Sequence, residues 1–319
     1  MRLNPNLAAF KPGSPVLQLI VSLVIVFVIG APLFYLLILA GSFIFNSDPG
    51  VLGDPFIEIG LKEAGFIKYS LMVQEISFFI VPAVIILKKH NPGYQGSIMS
   101  INTLRINNLF LVIILAFCTF PVTGFAGQLN SGMVLPEWLS GVGEWMRDKE
   151  DYADHLLDLI MTPETFAGML LNILIIAALP AISEELIFRG VFQKIFQNIF
   201  RSAHISVWFT SFLFSAIHLQ FYGFLPRFIL GLIFGYLFLW SRNLWFPVIA
   251  HFINNAVPVA GAYIKGWEAV NAPSDEGFWK QITIVMFSLV AAIIILARLR
   301  QGAYEERKEK PDTGNLPGL

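Results

Sequence analysis

Long apolar runs dominate this sequence and restrict it to a membrane-embedded fold. A transmembrane helix needs about 20 consecutive apolar residues, and eight runs in the chain are of about that length. Hydrophobic residues make up 56% of the chain and charged residues only 13%, whereas about a quarter of the residues of soluble domains are charged. We therefore predict an all-α fold, a polytopic membrane helix bundle of about eight transmembrane helices with an active-site cavity inside it. The predicted spans are 16–45, 68–87, 108–128, 166–188, 204–221, 224–241, 244–264 and 278–298.

The distribution of lysine and arginine between the loops predicts the orientation of these spans. With a cytoplasmic N-terminus, the inner segments hold fourteen of these residues and the outer segments hold seven. Cytoplasmic loops of membrane proteins carry the excess of positive charge. We therefore predict that both termini are cytoplasmic, and the short loops indicate a bacterial cytoplasmic (inner) membrane.

The rest of the chain gives no sign of a second domain. We find no internal repeat and no Gly-rich phosphate loop, so residues 1–301 are predicted to form a single transmembrane domain. In the long loop 129–165, the apolar residues between Tyr152 and Ile160 recur at helical spacing, which predicts an amphipathic helix on the outer membrane surface. We favour a solvated face for this helix over a lid. Residues 302–319 are charged and rich in Pro and Gly, which predicts a disordered cytoplasmic tail.

Composition also excludes several classes of function. The net charge is -1 and the basic residues do not cluster, so nucleic acid is not a predicted partner. The single cysteine, Cys118, cannot form an intramolecular disulfide, and it leaves no thiolate metal site. Its apolar neighbours indicate a small core residue.

Two adjacent acidic residues mark a candidate site. Between Phe166 and Trp267, the only acidic residues are Glu184 and Glu185. A carboxylate near the bilayer centre costs about 3 kcal/mol on insertion scales, so such groups persist mainly where a cavity or partner stabilises them. Residues four apart share a helix face, which places Arg189 beside Glu185. Glu184 has no such local partner, and we assign it as a general base that takes a proton from water.

Two histidines and an asparagine occur in the apolar runs that follow. His218 and His251 lie deep in these runs, and Asn255 is one helical turn after His251. Each polar group also has a structural interpretation, because a lone intramembrane histidine or asparagine often bridges helices. We keep that interpretation for Asn254 and for Glu75, which snorkels or bonds to a neighbouring helix.

These residues resemble the signature of a known family. Glu-Glu-x-x-x-Arg, Phe-x-x-x-His and His-x-x-x-Asn, on successive apolar helices in that order, are similar to the three motifs of the CPBP family. That family comprises CAAX prenyl endopeptidases and bacteriocin-processing or Abi-type proteins. The resemblance covers about 170–260, within a predicted core of 166–264. The matching positions are Glu184, Glu185, Arg189, Phe214, His218, His251 and Asn255.

The resemblance implies an intramembrane endopeptidase of the type commonly described as a metalloprotease. It implies that the first glutamate is the general base and that His218, His251 and Asn255 surround the attacked carbonyl. Glu185 and Arg189 would support them. The implied partners are membrane lipids and a membrane-associated peptide or protein substrate, of which a prenylated, CAAX-like protein is one form.

The need for a metal is left open by the resemblance. In one mechanism, His218, His251 and Glu185 ligate Zn2+ and leave one position for water. In the other, Glu184 activates water directly, and Asn255 with His251 donates to the oxyanion. The His-Glu-x-x-His helix of soluble zinc proteases does not occur in the sequence.

The position of His218 makes a further structural demand. It falls near the far end of its span, whereas His251 lies about seven residues, roughly 10 Å, into its own. Only the segment from Gln220 to Gly223 and then Pro226 separate the span of His218 from the next. We predict a short helical hairpin whose turn lies within the membrane or a cavity. A full crossing would leave His218 too far from Glu184.

Two other functions compete with proteolysis. One is a non-catalytic membrane protein of the same fold that acts in immunity or partner binding. Such a protein would not need the acid pair, yet every signature position is filled. A proton-coupled transporter also uses buried acids and histidines. Such carriers usually contain inverted repeats or paired broken helices, and the sequence shows neither. We favour the endopeptidase.

Overall fold

Helices account for the regular secondary structure of the described part of the chain. The computed structural model describes residues 14–52, 61–90, 98–101, 104, 106–161, 165–271 and 277–309, and within these ranges it contains no strand. The predicted all-α class is confirmed. In chain order the helices are α1 (Pro15–Phe45), α2 (Leu61–Gln74, Glu75–Ile80 and Val81–His90), α3 (Ile106–Ser131), α4 (Ser140–Ile160), α5 (Phe166–Asn172, Ile173–Ala178, Leu179–Glu185, Leu186–Phe192 and Gln193–Phe200), α6 (Ala203–Ala216), α7 (Phe224–Ser241), α8 (Trp245–Lys265), α9 (Trp267–Asn271) and α10 (Phe278–Glu309).

Six of the described helices are long and apolar enough to cross a membrane. These are α1, α2, α3, α5, α7 and α10. Two predicted spans do not meet the same criteria of length and composition: α6 is apolar but has only 14 residues, and α8 has 21 residues but is less apolar. The protein is a polytopic helical bundle and an integral membrane protein.

Within the described residues, four apolar clusters form the interior of the bundle, and two of them hold the helices of the site. One joins α1, α2 and α5 through residues such as Ile25, Ile86 and Ile187. The other joins α3, α7, α8 and α10 and includes Phe234 and Ala250. Because α5 belongs to the first cluster and α8 to the second, their contact brings the acid pair and the second histidine together. Large apolar side chains cover much of the outer surface, as expected for contact with lipid, and include Phe27, Phe43, Phe117 and Phe287.

The predicted amphipathic helix in the long loop is present and is longer than expected. Helix α4 begins at Ser140, twelve residues before the predicted start at Tyr152, and ends at Ile160. Its residues contact the segment between α6 and α7: the rings of Trp145 and Phe221 lie 5.2 Å apart. The helix thus packs against the turn of the α6–α7 hairpin, which the prediction of a solvated face did not include.

Helix α10 continues beyond its predicted end. It runs to Glu309, so the first eight residues of the predicted disordered tail, 302–309, are helical. The remainder of that tail, 310–319, lies outside the described residues.

Candidate active site

The acid pair lies on α5 between two stretches of π-helix. Ile173–Ala178 precedes Leu179–Glu185, and Leu186–Phe192 follows it. A π-helical turn contains an extra residue, and such turns occur frequently at functional sites. The helix is continuous through Pro180, with a π-helical stretch just before the proline. Because Pro180 has no N–H, it cannot donate to the carbonyl of Ile176. That carbonyl accepts a hydrogen bond from Asn255 Nδ2 at 3.2 Å.

Glu185 forms a buried ion pair with Arg189. Arg189 Nη1 donates to Glu185 Oε1 at 2.8 Å, and both side chains have no exposed surface. The guanidinium also lies over two aromatic rings, 4.7 Å from the centre of Phe214 and 5.5 Å from that of Phe234. Aromatic faces attract a cation, so the arginine is held by charge on one side and by rings on the others.

Two side chains on the same side of α5 donate hydrogen bonds to the backbone of α7. Arg189 Nη2 donates to the carbonyl of Gly231 at 3.0 Å, and Gln193 Nε2 donates to the carbonyl of Gly235 at 3.1 Å. A Cβ atom at Gly235 would lie 2.8 Å from Cγ1 of Val207 on α6. The two glycines therefore let α6 approach α7 closely, as small residues four apart do in other membrane helices.

His251 connects the two glutamates. Its Nδ1 lies 3.0 Å from Glu185 Oε1, and its Nε2 lies 3.9 Å from Glu184 Oε2. A carboxylate only accepts hydrogen bonds, so Nδ1 carries the proton and donates to Glu185. The imidazole stacks on Phe234, with ring centres 4.9 Å apart and planes 17° apart. Glu185 and Phe234 thus fix the ring so that its second nitrogen faces Glu184.

Glu184 combines burial with an unused acceptor. The residue is 7% exposed, and among the described residues its Oε2 accepts no hydrogen bond. A buried polar atom without a partner in a native structure calls for an explanation, often a catalytic one. The structure therefore places an uncommitted carboxylate oxygen beside a fixed imidazole.

His218 reaches this site because α6 is short. The helix ends at Ala216, and α7 begins at Phe224, so the two form the short hairpin that the sequence predicts. Leu219, in the turn, has a left-handed backbone with φ of 53°. His218 Nδ1 donates to the carbonyl of Phe214 at 2.7 Å. The ring of Phe214 contacts both histidines, with ring centres 5.3 Å from His218 and 5.9 Å from His251. In the neutral tautomer that this bond selects, Nε2 of His218 is an acceptor.

The two asparagines of α8 have different surroundings. Asn255 is half-buried and bonds to α5, as described above. Asn254 is buried: it accepts from Thr119 Oγ1 at 3.0 Å and donates to the carbonyl of Ala250 at 3.0 Å. Asn254 thus links α8 to α3, in agreement with its structural interpretation.

Two further charged residues lie close to Glu184, and sequence reasoning did not assign either to the site. Glu75, on α2, and Arg227, near the start of α7, both interact electrostatically with Glu184. Both guanidinium ends of Arg227 donate to Gln220, Nη1 to Oε1 at 2.8 Å and Nη2 to the carbonyl oxygen. The signal for Arg227 was its position just after the hairpin turn. Glu75 carried no local signal of its proximity to α5.

The predicted zinc set does not fit this arrangement. Glu185 Oε1 is bonded to both Arg189 and His251, so the carboxylate and the imidazole face each other instead of sharing an ion. The buried guanidinium would also repel a cation. Among the described residues, no three His, Cys, Asp or Glu side chains come together as a metal-binding group. We therefore derive no step through a metal.

Comparisons with known proteins agree with the motif analysis. Residues 166–257 match the family described as "Type II CAAX prenyl endopeptidase Rce1-like", a segment that contains every candidate residue of α5 to α8. The "Uncharacterized protein YpbD" of Bacillus subtilis (strain 168) is 33% identical over 90 residues, which cover 27% of this chain and 43% of that protein. The chain thus spans less than half the length of that relative. No solved structure matches. Residues 166–257 of the chain are therefore similar to the Rce1-like family of type II CAAX prenyl endopeptidases.

Proposed function

We propose that this protein is an intramembrane endopeptidase that hydrolyses a peptide bond of a membrane-associated substrate, with Glu184 as the general base. The observation that carries the proposal is the uncommitted Oε2 of Glu184 beside the imidazole of His251. A base that takes a proton from water needs a free acceptor within reach of that water. Glu185 also has an oxygen without a partner, Oε2, but its Oε1 is bonded to Arg189 and His251, and its side chain has no exposed surface at which a water could bind.

Water activation follows from the acceptors that face the site. The attacking water donates one hydrogen to Glu184 and the other to Nε2 of His218, whose Nδ1 is committed to the carbonyl of Phe214. Its oxygen then attacks the substrate carbonyl while Glu184 takes the proton. The result is a tetrahedral intermediate with a negative oxygen.

Collapse of the intermediate completes the reaction. Asn255 Nδ2 carries two N–H groups, of which one donates to Ile176, and we assign the second to the oxyanion. A single such donor is worth about 2.7–4 kcal/mol in other proteases. The carbon–nitrogen bond then breaks, and the proton held by Glu184 passes to the departing nitrogen. His251, held by Glu185, keeps its Nε2 directed at Glu184 in each step.

The substrate and orientation belong to the same proposal. The family match supports a substrate in or at the membrane, and a prenylated, CAAX-like peptide is the first class to test. The excess of lysine and arginine in the predicted inner loops supports cytoplasmic termini and a bacterial inner membrane.

A peptide-cleavage assay with one isosteric substitution tests the proposal. Purified protein in detergent is given a panel of membrane-tethered and prenylated peptides, and wild type is compared with Glu184→Gln. We expect Glu184→Gln to lower kcat by about 10²–10⁴-fold, the usual contribution of a general base. Glu144→Gln is the matched control, because Glu144 is exposed on α4, and it should cleave at the wild-type rate.

Two outcomes would contradict the proposal. Cleavage by folded Glu184→Gln at more than about a tenth of the wild-type rate would exclude this residue as the base. An absence of cleavage of every peptide by folded wild-type protein would favour a non-catalytic role. A chelator-treated wild-type sample should retain its activity, since the mechanism requires no exchangeable metal.

A further inference from the structure

Glu75 is a buried acid that the proposed mechanism does not use. It is 7% exposed and begins the π-helical stretch Glu75–Ile80 of α2. Its Oε2 bonds to the hydroxyl of Ser183, the residue before Glu184. Glu75 is thus hydrogen-bonded to the chain neighbour of the general base. Ionisable groups inside membrane proteins are costly and mark functional sites, so a functional role for this acid is expected.

The helices around Glu75 offer it little compensating charge. Helix α1 packs on the same π-helical stretch so closely that a Cβ at Gly30 would lie 2.7 Å from the carbonyl oxygen of Ser77. The sequence of α1 contains no Asp, Glu, Lys, Arg or His. On α5, Glu184 is a charged group that interacts with Glu75.

The groups around each acid indicate which carboxyl keeps a proton. Glu75 and Glu184 interact electrostatically. Glu184 lies beside the imidazole of His251, with its Oε2 3.9 Å from Nε2, and is next in the chain to the Glu185–Arg189 ion pair. Two neighbouring carboxylates in a low-dielectric interior do not both ionise. The described polar partner of Glu75 is the neutral hydroxyl of Ser183. The proton therefore belongs on Glu75 and the charge on Glu184.

The hydrogen bonds of Ser183 agree with a protonated Glu75. The hydroxyl lies within hydrogen-bond distance of both Glu75 Oε2 and the carbonyl oxygen of Pro180, the latter at 3.2 Å. It has one hydrogen to donate, so an ionised Glu75 and the carbonyl would compete for it. A protonated Glu75 instead donates to Ser183 Oγ, and Ser183 donates to Pro180. Both contacts are then satisfied.

We propose that Glu75 is a positioning residue of the active site, a neutral carboxylic acid that donates to Ser183 and thereby holds the turn of α5 that carries Glu184. This inference rests on the proposed function of Glu184. It makes Glu75 part of the machinery without direct contact with substrate. Displacement of a base by about 1 Å costs up to about 10²-fold in rate, so loss of the bond is measurable in kcat.

Two substitutions of Glu75 distinguish the effect of the hydrogen bond from the effect of side-chain size. Glu75→Leu keeps an apolar side chain of similar size but donates nothing, whereas Glu75→Gln is neutral and keeps an N–H that reaches Ser183. We expect Glu75→Leu to lower kcat at least about tenfold with KM changed by less than about twofold. Glu75→Gln should recover at least about a third of the wild-type kcat. Gln74→Leu, on the exposed side of the same helix, is the matched control and should cleave at the wild-type rate.

Infrared spectroscopy provides a readout that does not need catalysis. A protonated carboxyl group has a C=O stretch distinct from the bands of a carboxylate. Wild-type protein at neutral pH should show this band, Glu75→Gln should lack it, and Glu184→Gln should retain it. If the wild type cleaves no peptide, this band still decides the state of Glu75, so failure of the proposed function and failure of this inference are distinguishable.

The inference is overturned by any of three results. The first is a neutral-pH spectrum in which Glu75→Gln removes no protonated-carboxyl band. The second is a Glu75→Leu variant with wild-type kcat. The third is a Glu75→Gln variant as impaired as Glu75→Leu, because a neutral donor would then not be what the site requires. A fall in thermal stability of Glu75→Leu without a fall in kcat of the folded fraction counts as the second result.

Discussion

Removal of the Arg189 side chain tests the electrostatic framework of the site. In Arg189→Met, an apolar side chain of similar length remains, but the guanidinium that lies over Phe214 and Phe234 is lost. Glu185 then loses its 2.8 Å ion pair, and the carbonyl of Gly231 loses its 3.0 Å donor. Since Arg189 and Glu185 have no exposed surface, water does not replace either partner.

The magnitude follows from the cost of an unpaired buried charge. Removal of one partner of a buried ion pair destabilises proteins by about 3–5 kcal/mol. His251 still donates to Glu185 at 3.0 Å, so we expect about 3 kcal/mol, near the lower end of that range. For a protein of this size, that corresponds to a fall in Tm on the order of 10 °C.

A double variant shows whether the loss arises from the stranded carboxylate. Replacement of a whole buried ion pair by neutral groups is often close to neutral for stability, so Arg189→Met with Glu185→Gln should be at least about 1 kcal/mol more stable than Arg189→Met alone. Reversible unfolding in mixed micelles measures the four proteins of this cycle. Arg300→Met is the control, because Arg300 is exposed on α10. A stability of Arg189→Met within error of wild type, or a double variant less stable than both single variants, would refute the reasoning.

Two further predictions concern the packing of the hairpin and the pH response of α4. Gly235→Ala should destabilise the protein by about 1–3 kcal/mol, because the new Cβ would lie 2.8 Å from Val207. Gly124→Ala on α3 is the control: its Cβ would meet nothing within 4 Å, so stability should be unchanged or rise by up to about 1 kcal/mol. Thermal unfolding in detergent compares the two variants. Burial raises the pKa of Glu150, which accepts from the Tyr222 amide at 3.2 Å, above its ordinary value of 4.5. The stabilisation by this acid is therefore complete below pH 4.5 and is lost as the pH rises through the raised value. Hydrogen exchange of the Tyr222 amide, corrected for intrinsic rate, should show protection that falls over that window in wild type and stays level in Glu150→Gln.

The regular parts of the bundle could be predicted because membrane helices have strong local signals. Helix α7 has the predicted bounds 224–241, since Gly223 and Arg242 interrupt the apolar run on either side. Helix α6 ends five residues earlier than predicted, because Ile217 and Leu219 continue the apolar pattern after the helix has turned. The π-helical stretches gave no signal at all, since Ile173–Ala178 reads as an ordinary apolar helix.

The site was predictable where its residues are close in sequence and not where they meet through packing. The pairing of Glu185 with Arg189 follows from helical spacing and is present in the structure. The contact between His251 and Glu185 depends on the rotation of α8 against α5, which no local pattern specifies. Glu75 was interpreted as a residue that bonds to a neighbouring helix, and it does bond to Ser183. Its proximity to Glu184 depends on how α2 packs, so it could not be read from the sequence.

The shortness of α6 has a consequence for the surrounding bilayer. Its 14 residues extend about 21 Å at 1.5 Å per residue, which is about 9 Å less than the thickness of a typical hydrocarbon core. Either the lipids beside this helix are thinned or the turn after it lies inside the hydrocarbon core, and the energetic penalty of thinning grows with each ångström of mismatch. The acyl-chain length of the lipids then affects the turn that carries His218. The thickness of the bilayer thus influences the position of an active-site residue.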